Sequence, residues 1–82
     1  GNFHVQLMVN PDDKKEIETL NLFLDRLSNR AITMDGTCTG EHGIGQGKKQ
    51  YLIDELGLSV DFMKRIKSTI DPNNIMNPGK VL

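Results

Sequence analysis

Eighty-two residues with a formal charge of −1 make at most one small domain, and the interspersed signs exclude a polybasic face for nucleic acid or anionic lipid. No apolar run approaches the ~20 residues that span a bilayer, and no signal-peptide pattern opens the chain. A single cysteine, Cys38, excludes an internal disulfide framework and favours a reducing compartment.

Strand-like apolar residues begin at once after Gly1, which reads as a piece cut from something longer. Phe3-His4-Val5-Gln6-Leu7-Met8-Val9 alternates in part and predicts a β-strand over residues 3–9. Phe3, Val5, Leu7 and Val9 would share one face, His4, Gln6 and Met8 the other. Only Ala31–Thr37 competes as a partner, and it also continues a helical pattern, so partner strands are expected upstream.

Asn10-Pro11-Asp12-Asp13 predicts a helix start, with Asn10 as cap, Pro11 at the first helical position and two acids at the positive end of the dipole. Apolar residues at Ile17, Leu20, Leu24, Leu27, Ala31 and Met34, widened by Phe23, predict one amphipathic helix from Pro11 to Met34. Gly36 is its expected stop, and the stripe reads as core. Four of the eight glycines follow within Thr39–Lys49. Lys48–Glu55 then predicts a short helix with Tyr51, Leu52 and Leu56 on one side and Gly57 at its stop. Ser59 would cap a third helix, Val60–Ile70, with Phe62, Met63, Ile66 and Ile70 on one face, ended before Pro72. The expected class is α+β: an N-terminal strand, a long helix, a Gly-rich loop and two shorter helices, all within residues 1–82.

Two nucleotide motifs fail on spacing. A P-loop needs glycine five positions before the glycine of its Gly-Lys pair, where His42 stands before Gly47-Lys48, and Lys49 replaces the required Ser or Thr. A dinucleotide fingerprint from Gly43 needs Gly or Ala at Lys48 and a preceding strand. Loop amides with Lys48 beside them could still favour an anion, against the plainer reading of Lys48 and Lys49 as solvated charges.

His4, Glu41 and His42 are suitable ligands for a divalent first-row ion. The plainer alternative is a hydrogen-bonded His4 at a strand edge and a Glu41 that caps a turn. His42 suits general acid–base work, since imidazole titrates near neutrality. Without a turn, adjacent side chains point apart, so a carboxylate partner for His42 is expected elsewhere than Glu41. Cys38 reads as a small buried apolar group sooner than a nucleophile, and Asn77 as a turn former.

Gly1-Asn2-Phe3-His4, then Thr37-Cys38-Thr39-Gly40-Glu41-His42-Gly43-Ile44-Gly45, then Asp71-Pro72-Asn73-Asn74-Ile75-Met76-Asn77-Pro78-Gly79-Lys80 follow one another in an order and spacing that resembles a known group. It is the C-terminal end of FAD-linked oxidases of the vanillyl-alcohol-oxidase type, whose members act on D-lactate, glycolate or D-2-hydroxyglutarate. The resemblance implies a fragment of a ferredoxin-like cap domain in an FAD-dependent enzyme that oxidises a 2-hydroxy acid to the 2-oxo acid. It implies hydride transfer to flavin N5, with electrons passed to an acceptor protein or quinone, in the cytoplasm or at the periphery of the inner membrane. By the same resemblance His42 is the proton acceptor, and His4 and Glu41 are ligands of a zinc or manganese ion whose first histidine lies upstream. Asn2 and Lys48 fall on the substrate side and Asn77 on the cofactor side. Most of the FAD contacts would lie in an N-terminal domain outside these residues, so the 82 residues alone are expected to be inactive. Two other readings stay open: a stand-alone helical self-association module, and a zinc hydrolase built on His4, Glu41 and His42. Unpaired apolar faces along residues 3–9 and the long helix predict association into a homodimer or higher oligomer.

Overall fold

A computed structural model describes residues 1–82 and contains three helices: α1 (Lys14–Thr33), α2 (Lys49–Leu56) and α3 (Ser59–Ile70). There is no β-strand, which corrects the expected N-terminal strand and the α+β class: the fold is all-helical. The physical reason is the lack of a partner. A strand is held by a ladder, and the competing stretch from Ala31 is taken by the end of α1. Residues 7–9 instead run beside α1, where Leu7 and Val9 border a shallow groove with Leu20 and Phe23.

α1 begins three residues later than Pro11. Asp13 is the cap, its carboxylate accepting from the N–H groups of Lys15 at 3.0 Å and Glu16 at 3.2 Å. The Asn10 side chain is used up locally, accepting from the Asp12 N–H at 3.0 Å, and its own N–H donates to Glu16 Oε2 at 3.0 Å. The other end closes as a Schellman motif: the Asp35 N–H donates to Ile32 O and the Gly36 N–H to Ala31 O at 2.8 Å. The left-handed residue is Asp35 (φ 59°); Gly36 is needed for closeness, since a Cβ there would stand 2.9 Å from Ala31 O.

α2 is the hub on which α1 and α3 both pack. Tyr51 on α2 donates its hydroxyl to Asp25 of α1 at 2.5 Å, a bond that pushes the phenol up to about 12. The buried apolar residues are Cys38, Leu52 and Val60, so the core lies between α2, the start of α3 and the segment after α1. α1 buries none of its residues; Ile17, Leu20, Phe23, Leu27 and Ala31 are half-covered, and Met34 is exposed. The expected stripe is present in spacing, yet this chain does not cover it. α3 likewise leaves Phe62, Ile66 and Ile70 in solvent, and Leu58 just before it is exposed too.

Ser59 is the first residue of α3 and not its cap. The turn at Gly57-Leu58 is so tight that its own carbonyls take the first N–H groups, those of Val60 and Asp61, at 3.1 Å each. Asp71 ends α3 and is almost fully buried. Its carboxylate takes the Lys67 ammonium and the N–H groups of Ile75 at 3.0 Å and Met76 at 2.8 Å. The lysine bond, helped by those amides, holds the carboxyl down at about 2.

Candidate functional site

The site is built on the segment that leaves α1. Glu55 on α2 accepts the Cys38 N–H at 2.9 Å and the Thr37 hydroxyl at 3.1 Å. The Cys38 amide is the main reason the Glu55 carboxyl is held below its ordinary range. Burial, together with this neighbouring carboxylate, pushes the Cys38 thiol up to about 11, which makes it inert near neutrality. Cys38 is therefore part of the anchor and no nucleophile.

Two residues on, the chain passes beneath the N-terminal segment. A Cβ at Gly40 would lie 2.1 Å from Asn2 Oδ1, so any larger residue here would push the Asn2 side chain away from its place beside Glu41. The crossing sets Asn2 and His4 beside Glu41. Asn2 Nδ2 donates to Glu41 Oε2 at a long 3.5 Å. His4 Nδ1 stands 3.6 Å and His42 Nε2 stands 3.4 Å from Glu41 Oε1, within ion-pair range but longer than hydrogen bonds. The two imidazole centroids are 5.2 Å apart. The expectation that the partner of His42 lies elsewhere than Glu41 is thus corrected: the backbone bends through residues 40–42 and turns the two neighbouring side chains together. The Thr39 hydroxyl, donating to Gly43 O at 3.0 Å, closes this bend, and Gly43 carries a φ of 75°.

All three side chains are more than half exposed. One ligand atom from each of His4, Glu41 and His42 lies within 4.8 Å of the others. Two imidazoles and a carboxylate with open positions suit zinc or manganese, so the donor set fits a divalent ion. FAD does not find its place here in the same way. A groove of about 480 Å³ runs beside the tail, lined in part by Gly45, Lys67, Asn77 and Lys80. Lys67 is paired with Asp71, so the charge left in the groove is Lys80, which donates only to the neutral Asn77 Oδ1.

The structure therefore brings together Asn2, His4, Glu41 and His42. No hydrogen bond or ion pair joins Lys48 or Asn77 to them. Lys48 precedes α2, half-buried, where its charge is felt by Cys38. Asn77 sits in the tail in a left-handed conformation (φ 48°). Two working residues escaped the sequence reading. Glu55 had a signal, a carboxylate one turn from Leu52 on the apolar side of α2. Lys49 had none, since its ammonium donates to Leu82 O at 2.8 Å and Gly79 O at 3.4 Å, some thirty residues away.

Residues 1–81 match the family described as FAD linked oxidases, C-terminal domain. This chain belongs to that family. The resemblance drawn from the Gly-Glu-His-Gly and Asn-Pro-Gly-Lys segments is borne out. This FAD linked oxidase C-terminal domain is similar over its full length to the probable D-lactate dehydrogenase, mitochondrial, of Danio rerio, at 52% identity, and covers 17% of that protein. It is 52% identical to the D-lactate dehydrogenase [cytochrome], mitochondrial, of Arabidopsis thaliana, covering 15% of it. Over 99% of the chain it is 39% identical to the glycolate oxidase subunit GlcD of Bacillus subtilis, covering 17% of it. The domain thus spans about one sixth of the length of these curated relatives.

Proposed function

We propose that these residues form the substrate-side wall of an FAD-dependent enzyme that oxidises a small 2-hydroxy acid, of the D-lactate, glycolate or D-2-hydroxyglutarate class, to the 2-oxo acid. The observation that carries this is the convergence of His4 with Glu41 and His42 across 37 residues of chain, in a family named for FAD and with relatives named for D-lactate and glycolate. FAD, held by parts of the polypeptide outside these residues, is the two-electron acceptor that the family name implies.

In this reading His42 takes the hydroxyl proton of the substrate. Glu41, whose carboxylate oxygen stands 3.4 Å from Nε2, favours the imidazolium that forms. Asn2 holds Glu41 in place through its amide and presents a polar group beside the substrate oxygens. His4 and Glu41 are the residues that would hold a zinc or manganese ion, whose chemistry there is Lewis-acid polarisation of the substrate's oxygens. Lys48 supplies a positive charge that attracts the substrate carboxylate, and Asn77 acts from the tail toward the cofactor side. Electrons leave to a protein or quinone at the periphery of an inner membrane; no helix of this chain is long and apolar enough to cross one. By itself the 82-residue chain is expected neither to retain FAD nor to turn over.

The test uses the full-length parent under anaerobic conditions, with D-lactate, glycolate and D-2-hydroxyglutarate offered in turn. One acid should bleach the flavin, and His42→Ala should slow that bleaching by the ~10²–10⁴ of a lost general base. Bleaching by none of the acids sinks the substrate class; bleaching unchanged in His42→Ala sinks the role of His42.

A further inference from the structure

The turn that carries His42 is open at both of its left-handed glycines, with Ile44 between them half-buried. Gly43 and Gly45 both have positive φ (75° and 54°), and a Cβ at either would meet nothing within 4 Å. Its restraints include hydrogen bonds, and one of them comes from the far end of the chain: the Val81 N–H donates to Gly45 O at 2.7 Å. That donor is aimed by an unusual piece of backbone. The Leu82 N–H bonds Lys80 O at 2.8 Å, two residues back, and the residue between them, Val81, has a φ of 69°. This is the rare and strained form of γ-turn, and a β-branched side chain at its centre makes it less favourable still. Such a turn persists only if its surroundings over-determine it. Lys49 is what surrounds it. From the first residue of α2 its ammonium reaches both sides of the turn, to Gly79 O at 3.4 Å and Leu82 O at 2.8 Å.

We infer that Lys49 is a positioning residue for His42: it clamps the strained tail turn, whose Val81 N–H fixes Gly45 O and so orients the imidazole three residues before it. The chain of contacts runs from α2 to the tail to the glycine turn. This inference rests on the reading of His42 as proton acceptor. A consequence is specific to the strain. Glycine takes positive φ without penalty, so Val81→Gly keeps the N–H and removes most of the need for the clamp.

The experiment uses the full-length holoenzyme with matched FAD content and compares Lys49→Met, Lys49→Arg, Val81→Gly, Lys49→Met with Val81→Gly, and His42→Ala. Lys49→Met should lower kcat about tenfold or more, as a misplaced catalytic group does, while KM stays within about twofold. Lys49→Arg should restore most of the rate, and so should adding Val81→Gly to Lys49→Met. Independently of turnover, the imidazole NMR signal assigned to His42 by its loss in His42→Ala should shift in Lys49→Met and return in the double variant. Wild-type kcat and an unmoved His42 signal in Lys49→Met overturn the inference. A loss that neither Lys49→Arg nor Val81→Gly repairs overturns it too, because that is a general folding defect. If His42→Ala bleaches at the wild-type rate while Lys49→Met moves the His42 signal, the proton-acceptor reading fails and the positioning contact stands.

Discussion

Glu55 and Glu41 are both carboxylates that receive partners from distant parts of the chain, and they are built in opposite ways. Glu55 meets a backbone N–H and a hydroxyl at normal hydrogen-bond lengths, next to the buried Cys38. Glu41 faces two imidazoles at 3.4 and 3.6 Å and an amide at 3.5 Å, all of them exposed. The first arrangement is complete, so it stabilises the fold. The second is open and under-bonded, as a place for a ligand must be. Stability and chemistry are thus separated by only a few residues of chain, with Cys38 on one side and Glu41 on the other.

That separation can be broken from the stable side first. Glu55→Ala in the parent protein leaves the Cys38 N–H and Thr37 hydroxyl without their charged acceptor and should cost about 2 kcal/mol, read as a drop in the denaturation midpoint. The same substitution should speed alkylation of Cys38, since the carboxylate that helps hold its thiol up at about 11 is gone. Unchanged stability together with an unreactive thiol would show that Glu55 is not the anchor.

Asp71 is a second completed carboxylate, and it makes the comparison depend on pH. Its folded value, about 2, lies below the ordinary 3.8, so its contribution is full above pH 3.8 and is lost as the pH falls through about 2. Amide exchange at Ile75 and Met76 should report this step, and Asp71→Asn should abolish it. An acid step that survives in Asp71→Asn belongs to another group.

The smallest effect on stability is expected at the open cluster. His4→Ala and Glu41→Gln should each change folding stability by no more than about 0.5 kcal/mol, because the removed groups are exposed. Both should nonetheless lower the zinc or manganese retained by the purified parent, measured by metal analysis. A large loss of stability without change in metal content would make the cluster a structural one.

The sequence was most legible where the controlling forces are short-range. Spacing of apolar residues located all three helices, with ends off by no more than a few residues: α1 starts at Lys14 and not Pro11 because Asp13 outcompetes an Asn10 occupied by its own turn. Gly36 and Gly57 were read correctly as stops, though Gly36 works by closeness to Ala31 O and leaves the left-handed angle to Asp35. The segment 3–9 failed because alternation describes a preference, and a strand also requires a neighbour to bond. His4, Glu41 and His42 stood out by their chemistry, as residue types able to bind metal or move protons.

What the residues alone determined, then, is helix placement, turn chemistry and membership of the FAD linked oxidase C-terminal family through its local motifs. Only the tertiary structure decided that Asn2 crosses over Gly40, that Glu41 turns toward its own neighbour, that Glu55 anchors Cys38 and that Lys49 holds the tail against Gly45. The reason is range. Helices and caps follow from bonds across two to six residues, whereas all of these contacts except the one between Glu41 and His42 join positions 17 to 39 residues apart, wherever the folded path brings them.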